Sequence, residues 1–168
     1  MRKLVLMGVL VLLAALPVIA QETPKAEVFG GYSLVRSEGE ILHGWNASVN
    51  GNMNDWFGIK GDFAGYYKTI SGTKVKFHSF TFGPQLSYRK NEKVVVFAHA
   101  LFGGAHIGGG GISESGFAMN LGGGVDWVPH KNVAIRVIQA DGLITRFGGS
   151  TNGDLRISAG IVFRFGSK

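Results

Sequence analysis

The sequence lacks cysteine, and it has only four prolines and few charged residues. Without cysteine there are no disulfides and no thiolate metal ligands, so an exported chain must be held together by burial or by a closed hydrogen-bonded sheet. Charged residues make up 17% of the chain, against about 25% in average soluble proteins. A soluble barrel of this length needs an outer face rich in Lys and Glu, and these charges are too few to cover one.

A long hydrophobic run is also missing beyond residue 20. No stretch there has 18 consecutive apolar residues, so the sequence predicts no membrane-spanning helix. The first 20 residues differ: Arg2 and Lys3 precede an apolar stretch over 4–16, and small or aliphatic residues end at Ala20. This pattern predicts a Sec signal peptide over 1–20 and one domain over 21–168. No cysteine follows the cleavage site, which excludes a lipoprotein signal.

The formal net charge is +6, which raises the question of an anionic partner. No basic helix and no RNA-binding motif occurs, and an exported chain does not meet nucleic acid, so we expect none to bind. Lipid headgroups and the phosphates of lipopolysaccharide fit a basic exported chain better. The 27 glycines argue against long helices.

Alternating polar and apolar residues recur in segments of about ten to fourteen, each closed by turn residues. Tight connections at 52–54, 90–93 and 129–131 alternate with longer ones at 36–42, 68–75, 109–115 and 148–154, which are richer in Gly, Ser and Thr. An even strand number with such alternation predicts an all-β, eight-stranded antiparallel up-and-down transmembrane β-barrel with both mature termini on the periplasmic side. The eight predicted strands are 26–35, 43–51, 55–67, 76–89, 94–108, 116–128, 132–147 and 155–165.

The last segment shows which face points outward. Successive strand residues point to opposite faces, and here one face runs from Leu155 to Phe165 without a charge while the other carries Arg156 and Arg164. On the polar faces of the other segments, small residues surround isolated charges, which suits the narrow interior of an eight-stranded barrel. We therefore predict that the apolar faces contact lipid.

Two further expectations follow from the pattern. In the seventh segment Arg136, Gln139 and Asp141 share one face only if a β-bulge lies between 136 and 139. Aromatic residues near the segment ends predict girdles at the two membrane interfaces. These aromatic residues are Tyr32, Trp45, Trp56, Tyr66, Tyr67, Tyr88, Trp127, Phe147 and Phe165.

At this point the chain resembles the outer-membrane β-barrel family that includes OmpA-type and OmpX-type eight-stranded domains. The resemblance rests on EVFGGYS (27–33), GPQLSYR (83–89), RVIQADGLITRFG (136–148) and RISAGIVFRFG (156–166). It implies an outer-membrane location for 21–168, a monomer, and recognition of Phe165 by the outer-membrane assembly machinery. Three residues follow Phe165, which departs from a strictly terminal aromatic. No peptidoglycan-binding domain follows.

The predicted interior charges point to a network inside the barrel. Each must find a partner, because an unpaired buried charge costs several kcal/mol. The network is either a structural plug or a gate whose ion pairs exchange partners. Its predicted core is Glu27, Lys60, Asp62, Arg136, Asp141, Arg156 and Arg164, with Arg89 and Asp126 on the same faces.

Signals for catalysis are weak, and we expect no enzyme, cofactor or metal. His78 and Ser79 are adjacent, but neighbouring strand residues point to opposite faces, which prevents a hydrogen bond between nucleophile and base. No HxH or HExxH occurs, and the glycine runs at 104–111 and 121–126 lack the Lys-Ser/Thr of a phosphate loop. A lysine cluster in the second long connection is the predicted lipopolysaccharide contact: Lys68, Lys74 and Lys76.

The resulting expectation is an outer-membrane barrel with a structural or envelope-integrity and interaction role. The alternative is a narrow porin-like channel for small solutes. An adhesin is a further alternative, although connections of seven or eight residues offer little surface. A soluble lipocalin-like binder would need polar residues outside and an N-terminal Gly-x-Trp, which the first strand lacks.

Overall fold

The computed structural model describes residues 23–37, 39–70, 73–109 and 111–167, without the side chains of 70, 73, 74 and 112. The predicted signal peptide over 1–20 lies outside these residues. No helix in the described part of the chain is long and apolar enough to cross a membrane. The eight strands are β1 (Ala26–Ser37), β2 (Glu40–Asn52), β3 (Phe57–Ile70), β4 (Thr73–Asn91), β5 (Val94–Gly109), β6 (Ile112–His130), β7 (Val133–Phe147) and β8 (Ser150–Phe165).

The strands form a closed barrel in which each pairs antiparallel with its neighbours in sequence, and β8 pairs with β1. The predicted up-and-down eight-stranded barrel is confirmed. We call the end where β1 begins and β8 ends the base, and the opposite end the mouth. Because the sheet closes on itself, it has no free edge, and backbone hydrogen bonds are satisfied between neighbouring strands.

The connections at the mouth differ from the prediction. The strands run into the four expected long loops and leave only two residues between Ser37 and Glu40, and two between Phe147 and Ser150. In the second of these turns, Gly148 and Gly149 have φ of 53° and 89°. Positive φ at both central residues is typical of a type I′ hairpin turn, which matches the twist of the flanking strands. The glycines therefore allow tight hairpins where the composition had suggested loops.

The outer surface carries a continuous apolar band. On β4 the outward side chains from Phe80 to Tyr88 are all apolar or aromatic, and on β8 the same holds from Leu155 to Phe165. No Asp, Glu, Lys or Arg occurs in this band on any described strand. About nine to eleven tilted residues cross a bilayer, so strands of up to 19 residues continue past the band at the mouth. The prediction that the apolar faces point outward and the charged faces inward is confirmed.

Two features of the prediction have different outcomes. The bulge on β7 is confirmed: the register with β8 shifts between Arg136 and Gln139, and Val137 and Ile138 both point outward, 58% and 45% exposed. Two of the proposed girdle aromatics are wrong: Phe147 faces the inside of the barrel at the mouth, and Tyr66 is fully buried inside the barrel. Its neighbour Tyr67 is the exposed residue of this pair, as strand alternation requires.

Candidate functional site: the charged interior and the mouth

Arg156 forms the centre of a buried ion-pair network. Its Nη1 lies 2.6 Å from Oδ1 of Asp62 on β3, and its Nη2 lies 2.6 Å from Oδ2 of Asp141 on β7. All three side chains are completely buried. Asp62 also accepts a hydrogen bond from Nδ2 of Asn46, at 3.0 Å. One guanidinium therefore joins strands on opposite sides of the barrel, which bidentate arginine geometry suits well.

The network continues from Asp141 toward the base. Gln139 donates from Nε2 to Oδ2 of Asp141 at 2.7 Å, and it accepts a hydrogen bond from Nη1 of Arg136 at 2.8 Å. Arg136 also donates from Nε and Nη2 to the two carboxylate oxygens of Asp126, at 2.8 and 2.9 Å. The bulge on β7 makes this chain possible, because it turns Arg136 and Gln139 to the same side.

Aromatic rings complete the packing around Arg136. Its guanidinium carbon lies 4.4 Å from the ring centre of Phe29 and 4.3 Å from that of Phe97. Both rings are almost fully buried. Stacking between two aromatic faces stabilises a desolvated guanidinium by cation–π attraction, so the centre of the barrel is filled by side chains.

Lys60 differs from the other interior cations. It is 1% exposed, and no carboxylate of the described residues lies within salt-bridge distance of its Nζ. Its Nζ lies 3.4 Å from Oε1 of Gln139 and 3.4 Å from Nδ1 of His99, and 5.1 Å from the ring centre of Phe97. Lys60 is therefore held at the edge of the network by an amide, an imidazole and an aromatic ring, without a direct ion pair to a described carboxylate.

A second group of charges lies nearer the base. Glu27 lies 2.9 Å from Nη2 of Arg89 and 3.5 Å from Nε of Arg164. Asn50 and Asn52 donate to the same Glu27 oxygen at 3.3 and 3.1 Å. This group ties β1, β2, β4 and β8 together at the base.

The predicted core residues thus divide into two groups. Lys60, Asp62, Arg136, Asp141 and Arg156 lie together in the middle of the barrel, and Glu27 and Arg164 lie with Arg89 at the base.

Sequence reasoning missed His99, whose Nε2 lies 2.9 Å from Oδ1 of Asp141 across 42 positions of sequence. Alternation on β5 places His99 on the inward face with Phe97 and Leu101, so the signal was present. The partner was not predictable, because it lies on β7.

Gly122 shows why the glycine run on β6 is needed. A Cβ at this position would lie 2.3 Å from Oδ1 of Asp141 and 2.3 Å from the Ala140 carbonyl oxygen. The bare backbone leaves the space that the Asp141 carboxylate occupies. The run therefore serves packing of the interior network.

Near the mouth the interior changes character. A cavity of about 250 Å³ lies above Tyr66 and Leu143 and is lined mainly by apolar side chains from β1 to β5. Phe147 and Thr145 on β7 and Asn152 and Asp154 on β8 complete the lining. Leu143 and Tyr66 are 1% and 0% exposed and separate this cavity from the charged network below.

The predicted outer contact residues occupy different places. Lys68 forms an ion pair with Glu40 at the mouth. Lys76 is exposed on the outer face just beyond the apolar band, and the side chain of Lys74 lies outside the described part of the chain. Phe165 points outward at the base, 54% exposed. Lys68 and Lys76 therefore do not share one surface.

Hydroxyl and imidazole groups meet only on the exterior among the described side chains. Nδ1 of His106 lies 2.9 Å from Oγ of Ser115, without a carboxylate partner for His106. Ser79 is buried inside, whereas His78 lies on the outer face, as predicted. No group of three or more His, Asp or Glu among the described residues could hold a metal ion.

Comparison with solved structures shows the same fold. Ail, the attachment invasion locus protein of Yersinia pestis, is 23% identical, with 86% of this chain and all of that chain covered and a TM-score of 0.50. Neisserial surface protein A is 17% identical over 83% of this chain and 96% of that one, with a TM-score of 0.58. The N-terminal barrel of Pseudomonas aeruginosa OprF is 12% identical over 86% and 100%, with a TM-score of 0.55. No protein-family model and no curated protein matches the chain. The fold is that of the eight-stranded outer-membrane β-barrels.

Proposed function

We propose that this protein is a closed, non-conducting outer-membrane barrel with a structural and interaction role in the envelope. The single observation that carries the proposal is the network around Arg156, which joins opposite walls of the barrel at full burial. An eight-stranded barrel is narrow enough for side chains to fill. A solute could pass only if the contacts of Arg156 and Arg136 were broken.

Electrical recording tests this proposal. In planar lipid bilayers the refolded protein should give no steady openings above the lipid background. The matched variant Arg156→Ala, Arg136→Ala removes the two largest side chains of the network and should conduct if it remains folded, which its heat-dependent gel mobility reports. Steady openings of the unchanged protein that disappear or change size in this variant would overturn the plug and support the narrow channel.

A contact with anionic glycolipid fits the outer face at the mouth. Arg36, Lys76 and Arg146 project outward just beyond the apolar band, at the depth where lipid phosphates lie. A basic residue at a membrane surface contributes about 1 kcal/mol of attraction to anionic lipid. Lys68, which was predicted for this contact, is neutralised by Glu40. The tight hairpins at the mouth leave little surface for an adhesin, which favours the structural role.

The location and orientation are part of the proposal. A Sec signal peptide over 1–20, periplasmic termini, a monomer and an assembly signal at Phe165 fit the outward apolar band and the exposed Phe165 side chain. Fractionation with gel mobility before and after boiling tests the location, since a closed barrel resists detergent until heated. A soluble periplasmic protein whose mobility does not change would contradict it.

We also propose that the protein is not an enzyme. The pairing of His106 with Ser115 lacks the third group that orients a catalytic base. Lipid analysis after overexpression should show an unchanged acylation pattern, and a changed pattern abolished by Ser115→Ala would contradict this part of the proposal.

A further inference from the structure

We propose that the cavity at the mouth is a binding site for a small apolar molecule that carries a cationic amine. This inference goes beyond the structural role and does not depend on whether the barrel conducts. It rests on the chemistry of the cavity walls, on its closed floor, and on a carboxylate that has no partner among the described side chains.

The walls on one side are apolar although they face the inside of a barrel. Lower in the barrel, the charged and amide side chains and a small apolar cluster around Phe29 and Val162 fill the interior, whereas here aliphatic and aromatic groups surround an open space of about 250 Å³. Apolar surface lining a concave site open to water is the usual feature of a small-molecule pocket. These residues are Val35, Leu42, Val75, Phe77 and Ile107, and Phe147 on β7 adds apolar surface beside Thr145.

The floor makes this a pocket and not part of a channel. Tyr66 and Leu143 are almost completely buried, and the hydroxyl of Tyr66 is hydrogen-bonded to Oγ of Ser33 at 2.8 Å. Arg156 lies directly across the sheet from Val35, one of the wall residues, so the ion-pair network begins where the cavity ends. A ligand therefore enters from the mouth and stops at this floor.

The opposite side of the cavity is polar and anionic. Asp154 and Asn152 on β8 line it, together with Thr145 on β7. Among the contacts of the described residues, Asp154 has no ion pair and no side-chain hydrogen bond. Glu114 pairs across the sheet with Ile107, a wall residue, so it lies on the same inward face and adds a second negative charge near the opening.

The cations described near the mouth do not neutralise these carboxylates. Lys68 is paired with Glu40, and Arg146 is exposed on the outer face, between two inward-pointing neighbours on β7. An ammonium group beside Asp154 would form a charge-assisted hydrogen bond, while the apolar part of the ligand fills the opposite side. The carboxylates disfavour anions, and a neutral hydroxyl can donate a hydrogen bond to Asp154 but gains no ion-pair attraction.

The cavity size limits the ligand. Its volume is below the roughly 300–1,000 Å³ of pockets for drug-sized molecules. One aromatic ring or a short alkyl chain with an amine is therefore the class that fits, and 2-phenylethylammonium is a suitable probe. Its neutral and anionic counterparts of similar shape are 2-phenylethanol and 3-phenylpropionate.

Methyl NMR of the refolded full-length barrel in lipid nanodiscs tests the proposal. The ammonium probe should shift the methyl signals of Val35, Val75 and Leu143, which contact or line the cavity. The methyl signals of Val95 and Val162, which are buried near the base, serve as the internal control and should not move. Nanodiscs avoid competition by free detergent for an apolar site.

Two variants separate binding from folding. Asp154→Asn keeps the shape and should weaken binding of the ammonium probe about tenfold, the loss of one charge-assisted hydrogen bond. Binding of 2-phenylethanol should change much less, because the amide oxygen of the variant still accepts a hydrogen bond from a hydroxyl. Asp55→Asn is the matched control, because Asp55 lies at the base and accepts a hydrogen bond from Thr23. It should leave affinity for both probes unchanged.

Three results would overturn the proposal: no shift of the cavity methyls at saturating probe, equal binding of 3-phenylpropionate, or equal affinity of the ammonium probe for the Asp154→Asn variant and the unchanged protein. Each of these results is independent of the conductance measurement, so the proposed binding site and the proposed closed barrel are tested separately.

Discussion

Replacing Arg156 by methionine should destabilise the barrel strongly. The change removes three close contacts to carboxylate oxygens: Nε and Nη2 to Asp141 at 2.8 and 2.6 Å, and Nη1 to Asp62 at 2.6 Å. Methionine approximates the aliphatic part of the side chain, so the main loss is the charge. Asp62 keeps one donor, Asn46, and Asp141 keeps Gln139 and the contact with His99.

The expected loss is about 3–5 kcal/mol of unfolding free energy, because two buried carboxylates lose their shared cation. Lys60→Met is the matched control: it also removes a buried cation, but one without a carboxylate at salt-bridge distance. Replacing such a group by an apolar one should change stability by no more than about 1 kcal/mol, or increase it. Denaturant unfolding in lipid vesicles, followed by tryptophan fluorescence, measures both.

A rescue variant tests the reason for the loss. Adding Asp62→Asn and Asp141→Asn to Arg156→Met removes the uncompensated charges and should recover part of the lost free energy. Equal stability of Arg156→Met and the unchanged protein, or equal losses in Arg156→Met and Lys60→Met, would refute the account of the network.

Three further predictions concern the packing of the interior and the basic residues on the outer face. Gly122→Ala should lower the free energy of unfolding by about 1–3 kcal/mol, because the added Cβ overpacks against Asp141. Gly61→Ala, with no atom within 4 Å of the added Cβ, should change it by less than about 0.5 kcal/mol. Unfolding in vesicles measures both variants, and equal effects would contradict the packing argument. Tyr66→Phe should cost about 1 kcal/mol through the lost hydrogen bond to Ser33, while Tyr67→Phe on the outer face should be nearly neutral in the same assay. Lys76→Gln should reduce preferential contact with anionic lipid, measured with spin-labelled lipids, by about 1 kcal/mol; an equal reduction in Lys68→Gln would show that the ion pair with Glu40 does not neutralise Lys68.

The periodic features of the fold were predictable from the sequence. Alternation from Leu155 to Phe165 puts all the apolar residues on one face and both arginines on the other. The apolar face must point outward, because the opposite orientation would place Arg156 in lipid. The β7 bulge was predictable for the same reason, since Arg136, Gln139 and Asp141 could not otherwise share the interior.

Features that depend on contacts between distant strands were not predictable. His99 and Asp141 meet because closure of the barrel brings β5 and β7 to the same interior, and neither residue has a local signal for the other. The position of Tyr66 is a different case: alternation along β3 places it on the inward face with Lys60 and Asp62, so this part of the girdle prediction could have been corrected from the sequence. The mouth cavity is lined by residues of seven strands, β1 to β5, β7 and β8. It was not expected because several of these residues were assigned to loops, whereas they continue the strands.

The orientation of the apolar face is the central claim, and spin-label accessibility tests it most directly. Because the chain has no cysteine, single cysteines at Ile161 and Phe163 can be labelled without background. In lipid bilayers both labels should be accessible to oxygen, which concentrates in the bilayer, and protected from a water-soluble nickel complex. A label at the exposed residue Thr151, beyond the apolar band at the mouth, should be accessible to the nickel complex and less accessible to oxygen. Nickel accessibility at Ile161 and Phe163 equal to that at Thr151 would contradict a membrane-spanning barrel.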